Sequence, residues 1–344
     1  MGGIATRAHF PGYMEIPDKA QVVALCDMNR NTMESFSNAC NAKMYSNYHD
    51  LLSDPDVRVV DICLPHFLHG EVATAAAKAK KHVLVEKPIA TSLDQASSAI
   101  RAARENNVKL MVAENTRFVE AYKVTKRLLD SNMIGDVCLA RTIIAGSEIK
   151  TLSKPQSWSG KKSMAGGGVI FDAGVHSFYL LEWLLGRIKS IYAATSRFLP
   201  NLPSDIEDNA TGLLRFESGA FANFSMSDTS EIPWTERLEL YGTQGGLMVD
   251  MLSERPVQLF SITKRSKDQN MWWGRYGDVS WEEPFFQHSA MDWKFTSIKK
   301  EVQHFISCVA EDTNPLVSGE DGKRAIAIAL KAYESAALGK EVEV

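Results

Sequence analysis

The sequence predicts an α/β domain on a parallel sheet, then an α+β domain with an open, mainly antiparallel sheet. Three observations carry this. Through Ala113, short apolar runs alternate with helical stretches, the pattern of βαβ units. The run His82–Ala90 is an apolar, β-branched strand closed by Glu86, Lys87 and Pro88, as expected of a buried parallel strand with polar residues at its carboxyl end. Beyond Arg117 the pattern changes to successive alternating stretches, several separated by Gly-containing turns.

The elements follow in order. Gly2 to about Met14 reads as a turn entering a helix, and Gln21–Asp27 as a strand ending in an acid. Helices are expected over Asn31–Asn41 and Tyr48–Leu52, then a strand over Val59–Pro65, stopped by proline. An alanine-rich helix over His69–Ala79 precedes the Lys87 strand. A helix over Leu93–Glu105 and a strand over Lys109–Ala113 follow. The domain break falls near residue 120, giving domains 1–120 and 121–344. In the second, Tyr122–Ser131 is helical, Val137–Ala145 a strand and Asp172–Leu185 a strongly apolar helix. Strands are expected over Ile188–Arg197, Asn209–Glu217, Ala220–Ser227, Arg237–Gly242 and Leu247–Asp250. Residues 262–293, with Trp272, Trp273, Tyr276, Trp281, Phe285 and Phe286, read as a long packing loop. Helices near Phe295–Glu311 and Gly319–Gly339 close the chain.

Composition excludes several classes. At 344 residues the chain can bury two cores. Its net charge of −4 offers no case for nucleic acid or an anionic membrane. No apolar run reaches the ~18 residues of a membrane span. The opening residues lack a signal-peptide apolar region. Cys26, Cys40, Cys63, Cys138 and Cys308 are scattered without a Cys-x-x-Cys pair, so they read as reduced thiols of a cytoplasmic protein. His66 and His69 stand at i,i+3, but no Cys or carboxylate set completes a metal site there, and no metal is expected. His69 is expected to line a cofactor cleft or start a helix.

A dinucleotide fold needs a Gly-rich turn after its first strand and an acid after its second. Gly2, Gly3 and Ala5 fit the later part of G-x-G-x-x-G/A, with Ile4 between them. Asp27, at the end of the second expected strand, suits ribose hydroxyls and favours NAD; Arg30 keeps NADP open. The first strand and first glycine have no counterpart.

With Glu86-Lys87-Pro88 after a strand, the chain resembles the Gfo/Idh/MocA family of NAD(P)-dependent oxidoreductases. The likeness runs nearly end to end. It includes Val23-Ala24-Leu25-Cys26-Asp27, Leu64-Pro65 with His69, Asn115-Thr116-Arg117-Phe118, Ile134-Gly135-Asp136-Val137 and Ser318-Gly319-Glu320-Asp321-Gly322. The second strong block is Gly166-Gly167-Gly168 through Asp172 to His176. The resemblance implies a Rossmann domain, here without its first strand, and an α+β domain whose outer sheet face makes a homodimer or homotetramer. It implies oxidation or reduction of a secondary alcohol on a sugar or polyol. Glu86, Pro65, His69, Asn115 and Trp158 are then expected near the cofactor, and Arg117 near nicotinamide and substrate. Many relatives carry arginine where Ser159 follows Trp158. The absent strand is expected beside the Glu86–Lys87 strand, and restoring ~5–8 upstream residues, a typical strand length, is expected to stabilise the fold.

Removing hydride from a secondary alcohol requires orientation, a proton acceptor and stabilisation of the alkoxide. Asp172 and His176, at i and i+4, share a helix face. Histidine titrates near neutrality, which suits His176 as the base in oxidation and the acid in reduction. Lys87 is expected to hydrogen-bond the reacting oxygen and ribose, and Asp172 to orient substrate or His176. The glycines before that helix are expected to let the chain approach a ligand. Trp272 and Trp273 suit a subunit interface better than sugar stacking. Two other readings use the same residues: an NAD-dependent glycosidase acting through transient oxidation, and a non-catalytic dinucleotide-binding regulator. Retention of Lys87, Asp172 and His176 argues against the regulator.

Overall fold

The computed structural model describes residues 2–261 and 292–344. A π-helical stretch, Ala5–His9, runs into α1 (Phe10–Met14). Then come β1 (Ala24–Cys26), α2 (Arg30–Cys40), β2 (Lys43–Tyr45), α3 (Tyr48–Ser53), β3 (Val59–Ile62), α4 (His66–Lys78), β4 (His82–Glu86), α5 (Leu93–Glu105) and β5 (Leu110–Ala113). A 3₁₀ turn, Asn115–Phe118, leads to α6 (Glu120–Asp130), β6 (Val137–Ala145), α7 (Ile149–Leu152) and α8 (Lys162–Ala165). A π-turn, Ile170–Gly174, opens into α9 (Val175–Leu185). Next are β7 (Ile188–Ser196), β8 (Asn209–Phe216), β9 (Phe221–Ser227), β10 (Thr235–Gly242), β11 (Gly245–Asp250) and β12 (Val257–Ser261). The chain closes with α10 (Asp292–Ala310), α11 (Gly319–Leu338) and β13 (Val342–Glu343). The aromatic-rich stretch with Trp272 and Trp273 lies outside the described residues.

The chain forms two compact units. The first comprises Met1–Phe118, Lys161–Gly167 and Lys294–Ala327; the second comprises the remainder. The chain thus leaves the first unit next to the boundary expected at residue 120, then supplies it with two later segments.

In the first unit, β3, β4 and β5 form a parallel sheet in that order, and β1 pairs with β2 in a separate parallel pair. The Lys87 strand is therefore central. Val83, Leu84 and Val85 are fully buried, as a strand covered on both faces requires. This corrects one expectation: the neighbours of β4 are β3 and β5, and among the described strands β1, β2, β3 and β5 each pair with one strand only. Ser92 caps α5 by accepting from the Gln95 N–H, and Ala96, Ala99, Ala102 and Ala103 turn its apolar stripe inward. Helix α4 begins at His66 rather than His69, because Pro65, with φ −58° and ψ 143°, sets its N-cap.

Strand β2 was not expected from sequence. Three residues, one of them lysine, give no periodic signal. Side chains hold it in place: Lys43 Nζ lies 2.9 Å and Tyr45 Oη 2.8 Å from Asp54 Oδ2.

Among the described residues, the second unit holds an eight-stranded mixed sheet in the order β12-β11-β10-β6-β9-β8-β7-β13. All its pairs are antiparallel except β6 with β9. One face carries Ala140, Ile144, Leu238, Leu240, Phe224 and Leu214, all buried. Alternation sends Leu139, Ile143, Tyr192, Tyr241, Met248 and Phe260 to the other face, where they are exposed.

The Asp56 backbone N–H, Lys43 and Tyr45 together lower Asp54 to a pKa of about 2. A depressed carboxylate contributes stability above its unfolded pKa and loses it as pH falls through the folded value. Asp54→Asn should therefore lower the urea midpoint at pH 7, and its gap from wild type should close as pH falls from about 4 towards 2.

Candidate active site

In the first unit the parallel register brings three strand ends to one edge. Ile62 pairs with Val85, and Glu86 with Ala113. Pro65, Lys87, Asn115 and Arg117 follow those ends, where open α/β sheets take ligands. Pro88 ends the strand, and the Lys87–Pro88 peptide is cis.

His69 holds this edge together. Its Nδ1 lies 2.7 Å from the Pro88 carbonyl and its Nε2 2.7 Å from that of Leu64. A neutral ring carries one N–H, so it donates to one of these two carbonyls at a time, and the residue is 1% exposed. Burial pushes its pKa down, against the pull of the two carbonyls. His69 thus positions the loops after β3 and β4. His66 is likewise taken up, with Nδ1 2.9 Å from the Ala165 carbonyl.

Two more expected cofactor contacts face inward. Glu86 Oε1 lies 3.0 Å from His9 Nε2, and Glu86 Oε2 accepts from the Lys87 N–H at 3.0 Å. Burial opposes ionisation of Glu86, but His9 lowers its pKa overall. Asn115 is buried and donates its amide to Ser297 Oγ at 2.8 Å.

The residues expected around the dinucleotide are differently placed. Gly3 and Ile4 already belong to the first helix, and Gly2 immediately precedes it, its carbonyl accepting from the Thr6 N–H. Unsatisfied N–H groups at a helix N-terminus suit a pyrophosphate. Asp27 follows β1, and its Oδ1 accepts from the Asn29 N–H at 2.8 Å, which fixes the carboxylate at the strand end. Helix N-terminus and strand-end acid together fit a dinucleotide. Arg30 is exposed and paired with Glu34 at 3.5 Å.

In the second unit, Asp172 lies in the π-turn and His176 in the first turn of α9. The expected uniform α-helix is thus wider at its start, and i,i+4 spacing there spans the junction of two helix types. Trp158 lies on the segment after α7, beside a Ser157–Ser159 hydroxyl bond of 2.8 Å.

What holds the opening of this helix is Glu207. Its half-buried carboxylate accepts from the Gly168 N–H at 3.0 and 3.1 Å, the Ile170 N–H at 3.1 Å and the Tyr333 hydroxyl at 2.7 Å. Its own carbonyl accepts from the Val169 N–H. Burial pushes the Glu207 carboxyl up, against the lowering effect of these donors. A Cβ on Gly168 would stand 1.8 Å from the Glu207 carbonyl oxygen. The close approach expected of the glycines is therefore made, at Gly168, to Glu207 and not to a ligand. Gly166, at φ 89°, takes the left-handed turn that ends α8. Nothing in the spacing of Glu207-Asp208-Asn209, just ahead of a strand, announces a helix anchor.

Glu207→Gln should destabilise the protein by about 1.5–3 kcal/mol, the worth of charge-assisted bonds, in urea melts. Gly168→Ala should cost more, since the contact at 1.8 Å is with backbone.

Comparison with known proteins assigns the architecture. Residues 1–114 match the oxidoreductase family with an NAD-binding Rossmann fold, and residues 122–248 match the GFO/IDH/MocA C-terminal domain. An uncharacterised protein of Saccharomyces cerevisiae is 30% identical over 275 residues, covering 78% of this chain and 77% of the relative. Myo-inositol 2-dehydrogenase of Thermotoga maritima is 27% identical, covering 94% and 90%. A solved levoglucosan dehydrogenase in complex with NADH superposes with a TM-score of 0.87 at 25% identity, covering 100% of this chain and 97% of its own. The chain belongs to the GFO/IDH/MocA family of NAD-dependent oxidoreductases.

Proposed function

We propose that this enzyme transfers hydride between NAD and a ring secondary alcohol of a sugar, glycoside or cyclic polyol. The observation that carries the reading is the anchored helix of Asp172 and His176, in a chain whose Lys87 stands at the carboxyl edge of a buried parallel sheet. Relatives named for levoglucosan, myo-inositol and scyllo-inositol supply the substrate class.

When bound, NAD accepts or gives the hydride. Asp27 would hold the adenosine ribose, and the helix opening at Gly2, Gly3 and Ile4 the pyrophosphate. The pairing of Arg30 with Glu34 supports NAD over NADP. His176 takes the hydroxyl proton in oxidation and returns it in reduction. Lys87 stabilises the reacting oxygen as charge develops. Asp172 orients the substrate or the imidazole, and Arg117 and Trp158 border the substrate and cofactor.

The exposed sheet face supports a homodimer or homotetramer. Leu139 pairs across β6 and β10 with Tyr241, and Glu239 with Met248, so the apolar residues of these strands share one surface. The five free cysteines support a reducing, cytoplasmic location.

His176→Ala should cut turnover by ~10²–10⁴-fold with NAD binding intact; near-normal turnover removes His176 from the mechanism. A stereoisomer panel of polyols, sugars and glycosides, followed for NADH, tests the reaction itself. Sugar release without net NADH would mark a glycosidase, and tight NAD binding without redox change a regulator. Leu139→Glu combined with Ile143→Glu should reduce the mass seen by light scattering to that of one chain; an unchanged mass would move the interface elsewhere.

A further inference from the structure

The first unit contains a second polar cluster, apart from the groups assigned to hydride transfer. Four elements contribute to it: His9 from the π-helical stretch, Asp61 from β3, Glu86 from the end of β4 and Glu301 from α10. His9 is 2% exposed and Glu301 0%. His9 Nδ1 lies 2.9 Å from Asp61 Oδ2, and its Nε2 lies 3.0 Å from Glu86 Oε1. Tyr13 donates its hydroxyl to Asp61 Oδ2 at 3.0 Å.

Glu301 is the anomaly. Both of its carboxylate oxygens are buried, and neither has a hydrogen-bond partner among the described residues. Yet one ligand atom from each of His9, Glu86 and Glu301 lies within 4.8 Å of the other two. Three carboxylates meet one imidazole, so the ionised cluster is negative even with His9 protonated. Buried charge without compensation is expensive. A proton on Glu301 would remove one charge but still leave its buried oxygens without partners. A cation supplies charge and coordination together.

The donor set selects the kind of cation. One imidazole with two carboxylates suits a divalent transition ion better than magnesium or calcium, which prefer all-oxygen shells. Asp61 on Nδ1 is the partner that orients a metal-bound histidine and presents Nε2 to the ion.

We propose that His9, Glu86 and Glu301 bind one divalent transition-metal ion of the zinc or manganese type. The ion clamps the first helix and α10 to the end of β4. Binding would replace the His9–Glu86 hydrogen bond with two bonds to the ion, and Asp61 and Tyr13 would remain around it. This site differs from the His66–His69 pair weighed in the sequence, whose ring nitrogens meet backbone carbonyls.

The test uses the full chain, freed of any affinity tag and stripped with EDTA. Zn²⁺ and Mn²⁺ binding is measured by calorimetry, and Co²⁺ binding by visible absorption. The expected result is one ion per chain, a Co²⁺ ligand-field band and a higher melting temperature with the bound ion. Glu301→Gln, close in shape to the native side chain, should weaken binding at least about tenfold with circular dichroism and NAD affinity unchanged. His9→Asn should do the same. Folded wild-type protein that binds none of the three ions would overturn the proposal. So would a Glu301→Gln chain that binds as tightly as wild type. If His9→Asn does not fold, the wild-type titration and Glu301→Gln decide the matter.

Discussion

A helix that begins inside a protein must find acceptors for its first N–H groups, and in the second unit Glu207 meets that demand. Its carboxylate takes the N–H groups of Gly168 and Ile170, and Tyr333 steadies it from α11. The position of Asp172 and His176 follows from this one acceptor, because both lie within the first two turns beyond it. It also explains the glycine: only a residue without Cβ lets the backbone come so close to the Glu207 carbonyl. A π-turn at the same place widens the helix where the candidate chemistry is carried.

The first unit obeys a different constraint. Strand β4 is buried on both faces, so its polar residues are confined to its ends. Glu86 turns to His9, while the following lysine stands at the edge where parallel sheets receive ligands. His69 fixes the loops on either side of that edge through two backbone carbonyls. Ordering these loops in the fold, before any ligand arrives, lowers the entropy lost on binding.

Much of this was legible in the sequence, and the reasons are physical. Strand β6 and helix α5 fall where the periodicity places them, because each buries one face against a core. Short elements gave no such signal. Strands β2 and β13 have three and two residues, and partners elsewhere in the chain hold them. The motif residues Lys87, Asp172 and His176 could be named because family motifs mark them. Which polar groups face inward could not, since that depends on contacts between distant segments: Glu86 with His9, Asn115 with Ser297, Gly168 with Glu207. The division of the chain was hidden for the same reason, as no composition shift announces that α10 packs with the first unit.

That division has a consequence for biosynthesis. The first unit draws on Lys294–Ala327, which leaves the ribosome long after Phe118. At ~5–20 residues per second, the early sheet waits roughly 10–35 s for helix α10. During that interval the surface that α10 will cover is exposed, in a nascent chain whose β1, β2, β3 and β5 each pair with one described strand only. The second unit's sheet, by contrast, is drawn almost entirely from one continuous stretch and can pair as it emerges. The later-synthesised sheet can therefore consolidate first, and the amino-terminal unit is completed only when the carboxyl-terminal helices arrive.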